Sequence, residues 1–205
     1  MQIIKDIKQG TDEWKQLRLG KVTASRLSDV ISNGRGSAPS KTRASYMLQL
    51  AAETLTGEPE DSFNNKYMDW GNECEPQARS MYEFDSGNDV EEVAFVIASD
   101  SFGVSPDGLV GEDGLLEIKC PKTTTQIDRY LKGKFPTEYK AQVQGQLLAT
   151  KRKWCDFVSF DPRISGAAQY FCIRVERDEE YIAELERGIE KFTTELVEML
   201  EVLNG

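Results

Sequence analysis

The chain of 205 residues carries a formal net charge of −10 and contains no histidine, with 39% hydrophobic and 29% charged residues. This length suffices for a single domain with a buried core, which we expect over residues 1–205. No apolar run reaches the roughly 18 residues of a membrane span, and no signal peptide is recognisable. Because the four cysteines form no Cys-x-x-Cys pair, a zinc or iron–sulfur site is not expected, and we predict a cytoplasmic protein with buried, reduced thiols.

The N-terminal segment predicts two short helices. The first is expected to end at Gly20, and Ser25 can cap a second helix over residues 26–31. A helix N-terminus that carries the hydroxyls of Ser25 and Thr23, with Arg18 nearby, would suit an anion. Ordinary helix capping is the alternative interpretation of these residues.

Helices and loops alternate through the middle of the chain. A basic Gly/Ser/Pro-rich loop at residues 32–40 precedes a helix over residues 41–55, and an acidic loop at residues 57–65 precedes a helix that continues through about Phe84. Residues 90–98 alternate enough to form one strand. The first of these helices offers four side chains to a core: Tyr46, Leu48, Leu50 and Ala51.

A β-hairpin that carries two acidic residues follows. Residues 105–109 and 116–121 are typical of strands, and the Gly-Glu-Asp-Gly sequence at residues 111–114 is a strong signal for the turn between them. A pivot at the centre of this turn places Asp107 directly opposite Glu117, with Cβ atoms about 5 Å apart. Two carboxylates so close repel each other unless a proton or a cation lies between them.

Lys119 follows Glu117 by two residues and therefore lies on the same face of the strand. Leu116 and Ile118 point the other way and can enter a core, which leaves the charged pair on an open face. An acidic pair with a lysine is the minimal set of groups that binds Mg²⁺ and activates a water against a phosphodiester. With Pro106-Asp107 this strand resembles the degenerate PD-(D/E)xK nuclease motif. A solvated hairpin with exposed charges is the alternative.

The elements after the hairpin are predicted as helices at residues 126–131 and 138–149, strands at residues 154–160 and 170–175, and a long helix from Asp178 nearly to the end. Threonines at residues 123–125 can cap the first helix, and the second carries Gln142, Gln144 and Gln146. The last helix has an apolar stripe, formed by Ile182, Leu185, Ile189, Phe192, Leu196, Met199 and Leu203. We expect this amphipathic segment, residues 176–205, to pack on the domain's own core, with a coiled-coil contact between subunits as the alternative.

Charge is distributed in blocks along the chain. Residues 1–50 and 118–175 have net charges of +5 and +7, whereas residues 51–117 and 176–205 have net charges of −15 and −7. A basic rim around an acidic centre suits a phosphate backbone held over metal ions. Simple solvation of charged faces would give the same pattern.

Six sequence blocks occur in a fixed order: Trp14–Gly20 with Thr23-Ala24-Ser25, Trp70-Gly71 with Glu75, Ser105–Leu109, Leu116–Pro121, Ala141–Gln144 and Phe160-Asp161-Pro162. Together they resemble the lambda-exonuclease-like family, also called the YqaJ-type viral recombinase or alkaline exonuclease family. The resemblance extends over nearly the whole chain. It implies an α/β (α+β) fold, in which a PD-(D/E)xK restriction-endonuclease-like core has a central mixed β-sheet flanked by helices.

The resemblance also implies an activity. It is that of a Mg²⁺-dependent exonuclease, with two metal ions and Mn²⁺ as a substitute, that digests one strand of double-stranded DNA from its 5′ end. Mononucleotides are released, and a 3′ single strand is left for recombination. Ring-shaped trimers and a single-strand annealing protein are features of the family, so a homotrimer, such a partner and a phage or prophage origin are expected.

The resemblance gives implied roles to individual catalytic residues. Asp107, Glu117 and the main-chain carbonyl of Ile118 would ligate metal. Glu75 would support a second metal or the attacking water, and Lys119 would orient or deprotonate that water and offset charge in the transition state. A helper role, holding the lysine or the water, would fall to Gln142.

The resemblance also implies residues that bind the substrate. A 5′-terminal phosphate would be received by Arg18, Thr23, Ser25 and Ser105. Contacts to DNA are expected at Met68, Arg35, Arg43 and Lys122, where Met68 would be an apolar wedge that splays the terminal base pairs. The family's basic residue after the catalytic strand falls at Thr125, so its contact would either be lost or move to Lys122 or Arg129. Asp100 is a candidate for a further acidic position.

Two other functions are compatible with the sequence. An endonuclease of restriction or repair type would share the catalytic strand, but it would not need the end-phosphate pocket that Arg18 and Ser25 predict. A non-catalytic DNA-binding or assembly module would share the fold, but it would have no need of Asp107, Glu117 and Lys119 together.

Overall fold

The computed structural model describes residues 1–34, 40–60 and 66–205, with the side chains of the last range from residue 69 onwards. The α-helices within these ranges are α1 (Asp12–Arg18), α2 (Leu27–Val30), α3 (Lys41–Thr56), α4 (Lys66–Ser86), α5 (Thr123–Lys132), α6 (Lys140–Thr150) and α7 (Glu179–Asn204). The strands are β1 (Gln2–Ile4), β2 (Val22–Thr23), β3 (Val90–Glu91), β4 (Phe95–Ile97), β5 (Phe102–Val104), β6 (Gly108–Val110), β7 (Gly114–Lys119), β8 (Trp154–Phe160) and β9 (Tyr170–Glu176). None of these helices combines the length and apolarity that a membrane crossing needs.

The strands form two mixed sheets. The first has the order β1-β4-β5-β2 and the second the order β3-β6-β7-β8-β9. The pairs β2–β5 and β7–β8 are parallel, and the other pairs are antiparallel. The mixed α/β class and the long C-terminal helix expected from the sequence are confirmed, although the strands divide between two sheets.

The prediction of one continuous strand over residues 90–98 is wrong. The chain forms β3, which pairs with β6 in the second sheet, and then β4, which pairs with β1 and β5 in the first. Val93 and Ala94 between them are 4% and 1% exposed. The apolar pattern therefore reflects a buried crossing from one sheet to the other rather than one continuous strand.

The hairpin of β6 and β7 has the predicted register. Gly108 pairs with Leu116 and Val110 with Gly114, so the turn pivots on Glu112 as expected. A Cβ atom at Gly108 would lie 2.2 Å from the Val90 side chain, so only glycine lets β3 pack here. Strand β6 begins at Gly108, immediately after Asp107 in the chain, so Asp107 lies outside the strand pairing. The two carboxylates are therefore not a regular cross-strand pair.

Both faces of β7 are covered. The prediction that Glu117 and Lys119 lie on an open face is therefore wrong. Leu116 and Ile118 pack against Ala78 and Tyr82 of α4 in one apolar cluster, as expected. Leu115, on the same side of the strand as Glu117, belongs to the larger core. Glu117 is only 1% exposed, because α6 lies over that side of the sheet.

The apolar stripe of α7 packs mainly on the core, as predicted. Its first five residues are buried: Ile182, Leu185, Ile189, Phe192 and Leu196. Met199 is partly buried against the same core. Leu203 is 55% exposed. It lies in the last turn of the helix, beyond the part of the core on which the earlier turns pack.

Several local predictions need correction. Leu48, predicted to be available for the core, is 60% exposed on the outer side of α3. Ser25 does not cap a helix, because it lies inside a 3₁₀ turn that leads into α2. The threonines at residues 123–125 are the first turn of α5, and none of them is its N-cap. All four cysteines are free, but only Cys74 and Cys155 are fully buried.

Candidate active site

The candidate active site is built around the buried carboxylate of Glu117 on β7. Gln142 donates its side-chain N–H to Oε1 of Glu117 at 2.6 Å, and Gln146 donates to Oε2 at 2.6 Å. The two glutamines are four residues apart and therefore lie on one face of α6. Gln142 was expected to hold Lys119 or the water, and it holds the carboxylate instead. The role of Gln146 was missed, although its spacing from Gln142 was visible in the sequence.

Lys119 forms an ion pair with Oε1 of Glu117 at the end of β7. Its ammonium also lies over the ring of Tyr139, 5.3 Å from the ring centroid, and its side chain is 27% exposed. Burial alone would lower the pKa of Lys119, but the charges of Glu117 and Asp107 raise it above its ordinary value. The side chain is therefore a charged hydrogen-bond donor in this structure.

Asp107 immediately precedes the first residue of β6 and lies beside β7. Its Oδ2 accepts a hydrogen bond from the backbone N–H of Ile118 at 2.6 Å. Burial and the charge of Glu117 raise the pKa of Asp107 well above its ordinary value, against the opposing effect of Lys119. The predicted proximity of the two carboxylates is thus found. Asp107 contacts β7 both through this side-chain bond and through its backbone N–H, which donates to the Leu116 carbonyl at 3.1 Å.

Helix α4 contributes Glu75 and Arg79 to the site. Glu75 accepts a hydrogen bond from Nη2 of Arg79 at 2.5 Å, and the same nitrogen donates to the main-chain carbonyl of Asp107 at 3.2 Å. The pKa of Glu75 is raised by burial and, to a lesser extent, by the charges of Glu117 and Glu92. Arg79 was missed by the sequence analysis, although it lies one helical turn after Glu75.

The donor groups fit a divalent cation. In the described ranges, no group of three His, Cys, Asp or Glu side chains is arranged as a complete metal site. The mutual repulsion that raises the pKa of Asp107 is, however, the condition that a cation between Asp107 and Glu117 would relieve. Carboxylates and the nearby Ile118 carbonyl are oxygen ligands, which Mg²⁺ prefers. Glu75 is bound to Arg79 and is placed to support rather than lead such a set.

Three of the four residues predicted to hold a terminal phosphate line one cleft of about 720 Å³: Arg18, Thr23 and Ser25. The cleft is also lined by the basic residues Lys15, Lys21 and Arg26 and by the acidic residues Asp12, Glu53 and Glu60. The buried carboxylate of Glu53 accepts the backbone N–H of Gly20 at 3.1 Å. The hydroxyls of Thr23 and Ser25 are 3.5 Å apart.

The fourth residue, Ser105, joins this group through Trp14. The indole N–H of Trp14 donates to the Ser105 hydroxyl and to the Ala94 carbonyl, both at 3.0 Å. The Arg18 guanidinium stacks on the Trp14 ring, 3.9 Å from its centroid, and reaches the same hydroxyl at 3.5 Å. Trp14 therefore fixes Arg18 and Ser105 relative to each other, and Ser105 precedes Asp107 by two residues.

Of the four predicted DNA contacts, Arg43 and Lys122 belong to the residues whose side chains are described. Arg43 donates to the Val30 carbonyl at 3.1 Å and pairs with Glu195 at 2.5 Å, so its guanidinium joins α3 to α7 and the expectation of a DNA contact there finds no support. Lys122 is exposed immediately before α5. Arg35 and the side chain of Met68 lie outside the described residues.

Two alternative positions are also located. Arg129, the second position considered for a displaced DNA contact, is 5% exposed and donates to Ser159 and Tyr139, so it is a core residue. The main-chain carbonyl of Asp100 accepts a hydrogen bond from the Lys21 ammonium at 2.6 Å.

Comparison with known proteins places the chain beside a recombinase domain family and an alkaline exonuclease. A model of the YqaJ-like viral recombinase domain matches residues 13–153. The crystal structure of an alkaline exonuclease from Laribacter hongkongensis, LHK-Exo, is 45% identical, covers 95% of this chain and 96% of that chain, and has a TM-score of 0.86. The same protein in complex with dAMP is 46% identical, with coverage of 94% and 96% and a TM-score of 0.87.

A more distant likeness shows the fold alone. A phage-related exonuclease from Haemophilus somnus 129PT is 18% identical, covers 92% of this chain and 99% of that chain, and has a TM-score of 0.73. A search of curated proteins found no match.

Proposed function

The chain belongs to the YqaJ-like viral recombinase domain family, and from this we propose that it is a Mg²⁺-dependent exonuclease that digests one strand of double-stranded DNA from its 5′ end. Membership of the family and the similarity to an alkaline exonuclease support a nuclease role. The products would be 5′-mononucleotides and a 3′ single-stranded overhang that can be annealed during recombination. The viral recombinase family also supports a phage or prophage origin.

The observation that carries the proposal is the environment of Glu117. A carboxylate that is 1% exposed would be costly to bury without partners, and here both oxygens accept amide hydrogen bonds while Lys119 supplies the opposite charge. Asp107 adds a second carboxylate on the same side of the hairpin. A structural ion pair needs only one carboxylate, whereas a site for phosphodiester hydrolysis uses both.

The residues of this chain divide the chemistry among them. Asp107, Glu117 and the Ile118 carbonyl would hold Mg²⁺, with Glu75 in support. When bound, the metal would polarise the phosphodiester and lower the pKa of the attacking water. Lys119 would orient or deprotonate that water and offset the negative charge that develops in the transition state.

The cleft around Arg18 would receive the 5′-terminal phosphate. That phosphate carries up to two negative charges, and the guanidinium fork can bind two of its oxygens. Thr23, Ser25 and Ser105 would supply hydroxyl donors. Because Ser105 is two residues from Asp107 in the chain, a phosphate held at Ser105 would lie close to the carboxylates that act on the next phosphodiester.

Digestion of defined DNA substrates tests the proposal. Linear duplex labelled on one strand at the 5′ or the 3′ end should release labelled mononucleotide early only from the 5′ label, in Mg²⁺ and not in EDTA. A covalently closed, unnicked circular duplex of the same sequence is the matched control, and it should stay intact. Cleavage of the circle would instead support an endonuclease, and failure to cleave either substrate would support a non-catalytic module.

Assembly forms a separate part of the proposal. A ring-shaped homotrimer and a single-strand annealing partner are proposed from the family resemblance. Sedimentation equilibrium should give three times the mass of one chain. A monomer or a dimer at micromolar concentration would contradict the ring while leaving the nuclease proposal intact.

A further inference from the structure

Arg163 is held in a fixed, half-exposed position just beyond the end of β8. Its Nε and Nη2 donate to the two carboxylate oxygens of Asp161, each at 2.8 Å, while Asp161 itself is 0% exposed. The guanidinium lies 4.2 Å above the ring of Trp70 on α4. The Arg163 side chain is 50% exposed, and its remaining nitrogen, Nη1, makes no hydrogen bond to the described residues.

The position of this arginine relates it to the active site. Lys119 pairs with Ser159 across the parallel strands β7 and β8, so Asp161 lies two residues beyond the strand position that neighbours the catalytic lysine. Asp161 also accepts a hydrogen bond at 2.7 Å from Thr123, the first residue of α5. In open α/β sheets, ligands bind outside the carboxyl ends of the parallel strands. Arg163 therefore lies at the same end of the parallel strands β7 and β8 as Lys119.

The chemistry of the group favours a phosphodiester as its ligand. Arginine is always charged, and stacking on an indole together with a bidentate carboxylate fixes its plane before any ligand arrives. Asp161 occupies one edge of the fork, which leaves Nη1 and the exposed edge for an anion. The indole N–H of Trp70 is buried without a partner, so Trp70 is placed here for stacking rather than for hydrogen bonding.

We propose that Arg163, stacked on Trp70, contacts the phosphate backbone of DNA and guides the DNA strand past the carboxyl ends of β7 and β8. This inference rests on the proposed nuclease function and names an additional residue for it. The contact is to the backbone, so it positions the strand independently of sequence. Arg163 would act on DNA binding rather than on the chemical step at Glu117.

The chain contains its own matched control. Arg174 donates to the two oxygens of Asp156, each at 2.8 Å, and stacks 3.6 Å above the ring of Trp154. Its side chain is 47% exposed, and the Asp156 side chain is 7% exposed. Trp154 begins β8, so this second arginine lies toward the opposite end of the same parallel pair. A purely structural role would affect both arginines alike, whereas a DNA contact is expected only at Arg163.

Binding of a fluorescent 5′-phosphorylated duplex, measured by anisotropy in EDTA over a series of salt concentrations, tests the proposal. Arg163→Gln should weaken binding about tenfold. It should also reduce the slope of log K against log salt concentration by about one, because one phosphate contact is lost. Arg174→Gln should leave both quantities at their wild-type values, and thermal unfolding of both variants measures any structural cost.

The remaining outcomes separate this inference from the proposed function. If wild type binds duplex and Arg163→Gln has the affinity and salt slope of Arg174→Gln, this inference is wrong and the nuclease proposal is unaffected. If wild type binds no duplex, both fail. Should Arg163→Gln not fold, Arg163→Lys replaces it: a loss of about threefold in affinity at unchanged salt slope is expected for a point charge in place of a planar fork. Wild-type affinity in Arg163→Lys would overturn the proposed contact.

Discussion

At the scale of single residues, Glu117 shows how a buried carboxylate is provided with hydrogen-bond partners and oriented. Two amide donors and one ammonium satisfy its two oxygens in an interior position that is 1% exposed. Partners of this kind orient a metal ligand before the metal arrives, and losing one typically costs about 10- to 100-fold in metal affinity or activity. The amides and the lysine therefore have separable effects.

Lys119→Ala is expected to lower the rate of duplex digestion by about 10²- to 10³-fold or more, because the charge beside the scissile phosphate is lost. Duplex binding should change little, since the proposed DNA contacts lie elsewhere. Single-turnover digestion in excess enzyme measures the rate, and anisotropy in EDTA measures the binding. Turnover near the wild-type rate in the purified variant would exclude Lys119 from the chemistry.

Gln146→Leu should raise the Mg²⁺ concentration needed for half-maximal activity by about 10-fold or more, because Oε2 of Glu117 loses its only amide donor among the described residues. Gln144→Leu is the matched control on the same helix. Gln144 is equally buried but bonds the Glu176 carbonyl and the Asp178 N–H. That control should lower the melting temperature without shifting the Mg²⁺ response, and equal shifts in the two variants would contradict the role given to Gln146.

At the scale of secondary-structure elements, the helices on either side of the second sheet position the groups that we propose are catalytic. Helix α6 supplies both amides to Glu117, and α4 supplies Glu75 and is held to β8 by the hydrogen bond from Tyr82 to Asp156 at 2.8 Å. Helix α7 packs against α3 and α6. It therefore supports α6, which carries the two glutamines, and contributes no proposed catalytic group itself. Its contribution should be to stability.

Leu185→Ala in α7 should lower the free energy of unfolding by about 2–5 kcal/mol, because Leu185 is 0% exposed and its removal leaves a cavity in the main core. Leu203→Ala, in the same helix at a position 55% exposed, should change it by less than about 0.5 kcal/mol. Urea unfolding followed by circular dichroism measures both. A large effect at Leu203 would indicate that the end of α7 is covered by another subunit.

At the scale of the whole molecule, the two sheets bring the proposed end-binding cleft close to the proposed catalytic pair. The cleft is lined by residues from α1, β2 and α3, whereas Glu117 and Lys119 belong to the second sheet. Ser105 links the two, because it bonds the cleft residue Arg18 and lies two residues before Asp107. Positioning of a DNA end should therefore depend on the cleft.

Wild type is expected to digest a 5′-phosphorylated duplex much faster than its 5′-hydroxyl twin, because the bound phosphate positions the next phosphodiester over Asp107 and Glu117. Arg18→Ala should remove most of that difference by slowing the phosphorylated substrate. Both substrates are compared at the same Mg²⁺ and salt concentrations. No preference in wild type, or a full preference in Arg18→Ala, would show that the cleft does not hold the end.

The local features of this protein follow from short segments of its sequence. The turn at residues 111–114, the strand over residues 154–160 and the apolar stripe of the last helix were predictable, because each depends on side-chain periodicity or turn residues within one segment. The proximity of Asp107 and Glu117 followed from the same hairpin. Such short-range patterns require no knowledge of what packs against them.

The way in which these segments meet depends on packing between residues that are far apart in the sequence. The clamp of Gln146 on Glu117, the separation of residues 90–98 into two sheets, and the use of Arg43 inside the fold each depend on contacts distant in sequence. An exposed and a buried charge look the same in a sequence, because burial is set by the element that covers the position. Glu117 was therefore identifiable as a candidate catalytic residue, whereas its buried, doubly clamped state was not.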